Sequence, residues 1–451
     1  MVALRPTAST VACQDQKLGG NLGQTKRTRK DLDIRLPFRA RASLPSREDS
    51  RILTTESKLH SRIENRAGDY LEWLRELVRC PSPTGEETAC QKLVGERMRF
   101  LGLQPRAAYA KSAPPFHETG RNYQERPNLV GRLEGTGRGR VMLNAHVDTA
   151  PITDPQAWTH PPYGAIVEGD RLYGRGALDD KAGIAMMMLL AEVFQEIEHA
   201  PELLFASVIE DEDSGNGSLA CMEAGFWTDH AIVLDGTWPF RAIDSHLGQL
   251  WLHFEVPGVA APSCSWARAV NPIDLAFQKI AGLRAWVDEQ NRRMPQWLEI
   301  ANPFFLSIGE FHSGSWAGSV PERAQVSLQM GFPPPWTPES IAAVAREHLG
   351  DFRIGALCTP PHTQRPNRPA ELLRAQVDRL RAGEMEFRIQ AVTGHCDLRN
   401  LRKQDGSLAE ACLYGPGGGA NPHVADEYYL MSHFVPVAQN VASALLELIR
   451  S

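Results

Sequence analysis

Apolar and polar residues follow two different periodicities along this chain, and together they predict an α/β fold. After about residue 67, apolar residues first recur at the spacing of one helix face, at Cys90, Leu93, Val94, Met98 and Leu101. Short apolar runs typical of buried strands follow, at NLVGRL, RVMLNA, LLFASVI and AIVL. A helical run from Lys181 to Glu198 lies between the second and the third of them. Strands that alternate with helices indicate an α/β sheet.

Three of these predicted strands stop directly before a polar side chain. RVMLNA ends at His146, LLFASVI ends at Glu210 and Asp211, and AIVL ends at Asp235. Ligands of open α/β sheets bind beyond the carboxyl ends of the strands. The pattern therefore predicts a site at this edge of the sheet, lined by a histidine and carboxylates.

The pattern changes after Ser245 and predicts an inserted domain. The run GQLWLHFEV alternates as a half-buried strand, NPIDLAFQKIAGLRAWVDEQ is helical, and FFLSIGEF and AQVSLQMGF are two further strands. A helix capped by Thr337 and the strand DFRIGALC complete the order β-α-β-β-α-β, which is that of a ferredoxin-like unit. We expect residues 245–365 to form this domain, between two parts of the first domain at 66–244 and 366–451.

The first 65 residues differ from the rest, since QTKRTRKDLDIRLPFRARASLPSRE is basic, turn-rich and without periodicity. It has no apolar core of a secretory signal, and we expect a disordered tail, with an organellar transit peptide as the alternative. The chain has 451 residues and a net charge of −6, which gives no attraction to nucleic acid or anionic membrane. No apolar run approaches the roughly 20 residues of a membrane span. Eight scattered cysteines without a CxxC pair favour a reducing, cytoplasmic location.

A set of histidines and carboxylates has the chemistry of a metal site. Each alone has an ordinary explanation, for example a solvated acidic loop at EDEDSG or a turn at Asp235, and the evidence is their joint placement at strand ends. Imidazole and carboxylate ligands suit Zn²⁺, with Co²⁺ or Mn²⁺ as alternatives, and the set is large enough for two ions. The candidates are His146, Asp148, Asp179, Glu210, Asp211, Asp235 and His423.

Five motifs in this order, LNAHVDTAP, LYGRGALDDKAG, IEDEDSGNGS, LDGT and GPGGGANPHVADEYY, resemble those of a known family. It is the family of co-catalytic zinc amidohydrolases and peptidases that includes acetylornithine deacetylase, succinyl-diaminopimelate desuccinylase, aminoacylase and glutamate carboxypeptidase. The resemblance runs from about Asp69 to the C-terminus. It implies a zinc-peptidase-like catalytic domain, with a mixed sheet flanked by helices, and a ferredoxin-like lid domain through which two chains form a homodimer.

The resemblance also implies a role for each candidate. His146 and Asp235 would bind one metal ion, Asp211 and His423 the other, and Asp179 both. Asp148 would orient His146, and Glu210 would be the general base. Within GALDDKAG, Asp180 and Lys181 would then be ordinary charges at a helix start.

Three features depart from the family pattern or extend it. Asp211 and Asp235 stand where glutamates are usual, so each carboxylate reaches about one methylene less. Pro262, in GVAAP, stands where the family's lid has a histidine that helps hold the oxyanion or the substrate, and His246, His253 and His312 are substitutes by composition only. Arg399, in GHCDLRN, matches an arginine associated with substrate carboxylates, and a surface salt bridge is an equal alternative.

These observations predict a metal-dependent hydrolase that cleaves an amide bond in a small N-acylated amino acid or amine. A dipeptidase or carboxypeptidase acting on short peptides is the alternative within the same chemistry. A non-catalytic metabolite-binding descendant is the alternative from a different class.

Overall fold

The computed structural model describes residues 47–113, 115–137, 139–197, 201–236, 240–381 and 386–450. The described chain begins in helix α1, Arg47–Arg79, which overlaps the expected disordered tail. Leu59, Ile63 and Ala67 are buried in the core, because their four-residue spacing places them on one face of this helix. Residues 47–65 are therefore helical, which corrects this part of the expected tail, and the expectation for residues 1–46 lies outside the described residues.

The part of the chain before the inserted segment supplies most of the main sheet and the helices that cover it. Helix α3, Lys181–Phe194, is buried along its length, as expected of a helix that is apolar on all sides. The elements after α1 are α2 (Thr88–Phe100), β1 (Arg106–Ala108), β2 (Asn128–Leu133), β3 (Arg140–His146), β4 (Ile166–Glu168), β5 (Arg171–Tyr173), α3 (Lys181–Phe194), β6 (Glu202–Val208), α4 (Asn216–Glu223), β7 (His230–Val233) and β8 (Arg241–His246).

The inserted segment folds in the β-α-β-β-α-β order. Its four long strands form an antiparallel sheet in the spatial order β13 (Phe305–Ser313), β15 (Arg323–Phe332), β9 (Gly248–Pro257) and β16 (Arg353–Thr359). Its two helices cover one face of this sheet and enclose a separate apolar core. We refer to this segment, Gly248–Thr359, as the lid domain. Its elements are β9 (Gly248–Pro257), β10 (Ala261–Pro262), α5 (Pro272–Arg293), β11 (Gln296–Trp297), β12 (Ile300–Ala301), β13 (Phe305–Ser313), β14 (Ser319–Val320), β15 (Arg323–Phe332), α6 (Pro338–Leu349) and β16 (Arg353–Thr359).

The last part of the chain returns to the main sheet. It contributes β17 (His362–Thr363), α7 (Arg368–Leu380), β18 (Arg388–Val392), β19 (Glu410–Leu413), β20 (Gly419–Ala420), β21 (Tyr428–Leu430) and α8 (Phe434–Leu448). The main sheet has the order β1-β2-β6-β3-β7-β19-β8-β17, with β18 also paired to β8, and it is mixed. At its centre β6, β3, β7 and β19 run parallel, so their carboxyl ends lie at one edge.

A small antiparallel sheet, β20-β21-β5-β4, lies beside this edge. The loop between β20 and β21 carries His423, which reaches the edge from the last part of the chain. None of the described helices has the length and apolar character that a membrane span requires. The cysteines within the described residues are free thiols.

Candidate active site

Three neighbouring parallel strands bring together a first group of side chains that could hold a metal ion. His146 is the last residue of β3, Asp211 follows β6, and Asp235 follows β7. One ligand atom from each of these three lies within 4.8 Å of the others. The expectation that strand ends would gather these side chains at one edge therefore agrees with the structure.

A second group consists of Asp179, Glu212 and His423, whose ligand atoms also lie within 4.8 Å of one another. His423 Nε2 lies 2.9 Å from Glu212 Oε2 and 3.2 Å from Asp179 Oδ2. The other oxygen of Asp179, Oδ1, lies 3.0 Å from His146 Nε2. The Asp179 carboxylate thus stands between the two groups with one oxygen toward each histidine, as a bridging ligand must.

The acidic loop after β6 differs from the expectation by one residue. Glu212, which was not among the predicted site residues, lies beside His423, whereas Asp211 lies with His146 and Asp235. Glu210 has a φ of 62°, and the loop turns there before its next two side chains enter the site. Choosing the acidic pair one residue later in EDED, at Asp211 and Glu212, would have included Glu212 among the candidates.

Glu210 itself faces away from these groups, into a buried cluster of donors. Its carboxylate is fully buried and accepts hydrogen bonds from Arg126 Nη2 at 2.8 Å, from the Tyr123 hydroxyl at 2.8 Å and from the Ser214 hydroxyl. Arg126 also pairs with the buried Glu87. This surrounding does not fit the expected general base, because both oxygens of Glu210 are already held by donors. Glu210 instead anchors the loop that carries Asp211 and Glu212.

Asp148 holds both His146 and the acidic loop. The Nδ1 of His146 lies 3.0 Å from the Asp148 carbonyl and 3.5 Å from its carboxylate, which leaves Nε2 directed at Asp179. The same carboxylate accepts from the backbone N–H groups of Asp211 and Glu212 and from the Thr84 hydroxyl. Asp148 is fully buried. Its contacts hold the ring of His146 in one orientation, which is what a residue orienting a ligating histidine would do.

The charge balance of the two groups fits divalent cations. Burial, followed by the charge of Asp179, raises the pKa of Asp235 to about 7. Burial also raises the pKa values of Asp211 and Glu212, to which Asp397 and Asp179 respectively add. Hydrogen bonds to Asp179 and Glu212 raise the pKa of His423 to about 11. Carboxylates crowded in this way around imidazole nitrogens form a donor set that suits divalent cations, whose charge would take the place of the protons held by these groups.

Glu427, which the sequence did not single out, fixes the segment that carries Asp179. Its fully buried carboxylate accepts hydrogen bonds from Arg175 Nη1 at 2.7 Å and from the backbone N–H groups of Gly176, Leu178 and Asp179 at 3.1, 3.0 and 3.2 Å. Glu427 lies only four residues after His423. This short segment therefore supplies His423 to the second group and also fixes the position of Asp179.

We expect Glu427→Gln to destabilise the protein and to weaken its metal binding. The amide leaves the Arg175 charge buried without its partner, and breaking such a pair costs about 3–5 kcal/mol of unfolding free energy. Denaturant unfolding and metal titration would measure the two effects. Glu410→Gln is the matched control, since Glu410 is partly exposed and lies 3.4 Å from His230 at the opposite end of the sheet. Equal losses in the two variants would contradict the assignment.

Asp180 and Lys181 differ from the helix-start charges that were expected, because both are fully buried. Asp180 makes no capping hydrogen bond with its side chain and instead accepts from the backbone N–H of His146 at 3.2 Å. Lys181 Nζ donates to the carbonyls of Leu77 and Cys80, at 2.9 and 2.7 Å. These two side chains therefore fix the start of α3 against β3 and the end of α1.

Arg399 is also buried, and its contacts are to the backbone. Nη1 donates to the Cys396 carbonyl at 2.6 Å and Nη2 to the Ser214 carbonyl at 3.1 Å. It thereby joins the loop after β18 to the loop that carries the acidic residues. A surface salt bridge, one of the two expectations, does not describe this buried position.

The histidines considered as substitutes at the lid lie in three different places. His246 is buried at the end of β8 and stacks on His362, with ring centroids 5.5 Å apart. His253 contacts the Ser327 hydroxyl at 2.8 Å within the lid sheet. His312 lines a cavity of about 970 Å³ together with Pro262.

Comparison with known proteins identifies the family. Over 288 residues, 60% of this chain and 68% of the relative, the sequence is 30% identical to a succinyl-diaminopimelate desuccinylase of Methylobacterium nodulans. The fold matches that of the dipeptidase Dug1p of Saccharomyces cerevisiae with a TM-score of 0.72 at 13% identity, over 88% of this chain and 99% of that one. It also matches a dinuclear metal-binding peptidase of Bacillus subtilis with a TM-score of 0.56 at 15% identity, over 87% and 99% of the two chains. The sequence profile of peptidase family M20/M25/M40 matches residues 142–447, and the chain belongs to this family of metal-dependent hydrolases.

Proposed function

We propose that this protein hydrolyses the amide bond of a small N-acylated amino acid, in the manner of a desuccinylase or deacylase. The observation that carries the proposal is the pair of ligand groups that share Asp179. The sequence similarity to a succinyl-diaminopimelate desuccinylase supports an acylated amino acid as the substrate class.

Two divalent metal ions, which we propose to be Zn²⁺, would be held by the two groups. His146 and Asp235 would serve one ion, Glu212 and His423 the other, and Asp179 both. When bound, such a pair polarises a carbonyl and activates water at neutral pH. The assignment replaces Asp211 with Glu212 as the ligand beside His423, because Glu212 is the acid that contacts this histidine.

We propose Asp211 as the general base in place of Glu210. Asp211 is the member of the first group that we do not assign as a ligand, and its carboxylate has no hydrogen-bond donor in the described structure comparable to those that occupy Glu210. Its raised pKa suits a group that takes a proton from the attacking water and returns it to the departing nitrogen. Asp148 holds the ring of His146 and the loop that carries Asp211 in fixed positions during this transfer.

The proposal is tested by assaying protein loaded with Zn²⁺, Co²⁺ or Mn²⁺ against N-succinyl, N-acetyl and N-formyl amino acids and against dipeptides. We expect turnover of at least one N-acyl series, dependent on the metal and lost on chelation. Turnover of dipeptides alone would establish the peptidase alternative. Bound metal without turnover of any amide would contradict the enzymatic proposal and favour a metabolite-binding descendant.

We also propose that two chains pair through the lid domain and that the protein is cytoplasmic. The support for pairing is β13, an edge strand of the lid sheet, next to the stacked rings of Phe277 and Phe311. Edge strands offer unpaired N–H and C=O groups to a second chain. A mass determination by light scattering distinguishes one chain from two.

A further inference from the structure

Two cysteines meet beside the connection between α1 and α2. Cys80 directly follows the end of α1 at Arg79, and Cys90 lies in the first turn of α2, Thr88–Phe100. The two side chains are hydrogen-bonded to each other, and both are free thiols. Cys80 is partly exposed, whereas Cys90 is fully buried. A reagent in solvent therefore reaches the first sulfur while the second is already in contact with it.

The chain between the two cysteines is held to the core, which keeps the sulfurs together. The Ser82 hydroxyl donates to the Val147 carbonyl at 2.7 Å, and the Ser82 carbonyl accepts from the Thr149 N–H at 2.9 Å. Lys181 Nζ donates to the Cys80 carbonyl at 2.7 Å. The contact between the sulfurs is therefore a property of the folded protein and needs no unfolding to form.

The surroundings of Cys80 favour its thiolate. The hydrogen bond from the Cys90 thiol, together with the charge of Lys181, lowers the pKa of Cys80 to about 6, although partial burial opposes this shift. The same hydrogen bond, together with burial, raises the pKa of Cys90, which therefore keeps its proton. The thiolate is the form of cysteine that attacks an electrophile. Cys80 is thus the nucleophile of the pair, and Cys90 is the protonated thiol beside it.

Other cysteines of the described chain provide internal controls. Cys221, Cys396 and Cys412 are buried, and burial raises the pKa values of their thiols. Buried thiols of this kind are inert. Cys264 is instead exposed in the lid domain. A reaction governed by exposure alone would therefore select Cys264 before Cys80.

We propose that Cys80 and Cys90 are a redox-active dithiol that a peroxide converts into a disulfide. The Cys80 thiolate attacks one peroxide oxygen, the O–O bond breaks, and the second oxygen leaves as hydroxide, which takes up a proton to become water. The Cys90 sulfur then attacks the sulfenic acid formed on Cys80, which makes the S–S bond and releases the hydroxyl group with the Cys90 proton as a second water. The two sulfurs together lose two electrons, and the peroxide gains them.

The test begins with the reduced full-length chain and hydrogen peroxide at pH 7, followed by blocking of the remaining thiols and peptide mass spectrometry. We expect the Cys80–Cys90 disulfide as the first product, formed within one chain and reversed by dithiothreitol. Cys264 should be oxidised about 3-fold more slowly or less, although it is more exposed, because its reaction lacks the activated thiolate. Oxidation of Cys264 while Cys80 and Cys90 stay reduced would overturn the proposal.

Two serine substitutions separate the roles of the two sulfurs. Cys90→Ser keeps a hydroxyl donor beside Cys80 but cannot close the disulfide, so the sulfenic acid should accumulate and be trapped by dimedone. Cys80→Ser removes the nucleophile, and oxidation of Cys90 should become about 10-fold slower or more, as for a buried thiol. Cys264→Ser is the matched control and should leave disulfide formation unchanged.

Oxidation of Cys90 at an unchanged rate in Cys80→Ser would overturn the assigned order of attack. The measurement on the unchanged chain decides whether the disulfide forms even where a variant fails to fold. Neither measurement involves turnover, and neither cysteine is among the proposed metal ligands or the proposed base. Failure of the proposed hydrolytic function and failure of this inference are therefore distinguishable.

Discussion

Replacement of Asp211 by asparagine is expected to lower kcat about 10²–10⁴-fold, the contribution typical of a general base. The amide keeps the size of the side chain and removes its ability to accept a proton. Metal content should change little, since the proposed ligands His146, Asp179 and Asp235 remain. The measurement is single-turnover hydrolysis of an N-acyl substrate, with the metal-to-protein ratio determined on the same sample.

The adjacent substitution Glu210→Gln is the control, because it makes the same chemical change one residue earlier. It weakens the buried pair with Arg126 and should lower the free energy of unfolding by up to about 3–5 kcal/mol. The kcat of the folded variant should fall by less than about tenfold, well below the contribution of a general base. The reverse result, with Glu210→Gln inactive and Asp211→Asn active, would restore the base first expected from the sequence.

Replacement of Asp179 by asparagine is expected to release both metal ions. Its two carboxylate oxygens face the two histidines at 3.0 and 3.2 Å, so the change removes a negative ligand from both groups at once. Loss of a residue that only supports a ligand typically weakens metal binding about 10–100-fold, and loss of a shared ligand should exceed this. Elemental analysis after dialysis should show a fall from about two ions per chain to well below one.

Asp180→Asn is the matched control for this experiment. Asp180 is the neighbouring buried carboxylate, and its contact is with the backbone N–H of His146, which an amide oxygen also accepts. We expect this variant to keep both ions. Retention of metal by Asp179→Asn together with its loss from Asp180→Asn would assign the bridge in GALDDKAG to the second aspartate.

The lid domain, and the position of the site at one edge of the main sheet, could be predicted from the sequence because both depend on local patterns of apolar and capping residues. Alternation in β9 and β15, the helix start at Thr337 and the apolar runs before His146 and Asp235 are local patterns, and each predicts one element. The topology then requires that neighbouring parallel strands end together. The apolar run also places His146 at a strand end, whereas the roles predicted for Asp179 and His423 came from the resemblance of their motifs to those of the family.

The shift along EDED was not predictable in this way, because four consecutive acids are chemically alike. Which of them enters the site depends on the backbone turn at Glu210 and on the distant donors Arg126 and Tyr123. Glu427 was missed for a related reason. The groups that bind it lie near residue 175, and a pattern along the sequence does not show that a carboxylate will meet donors about 250 residues away.

The order of the strands has a consequence for how the protein is made. β19 lies between β7 and β8 at the middle of the main sheet, yet it is translated after the whole lid domain. Domains tend to fold as they emerge from the ribosome, so the lid domain can fold before β19, the central strand of the main sheet, has been synthesised. Glu427 and His423 arrive later still. A ribosome that stops before residue 410 would therefore release a chain with a folded lid and an open sheet edge, without His423, the last of the proposed metal ligands.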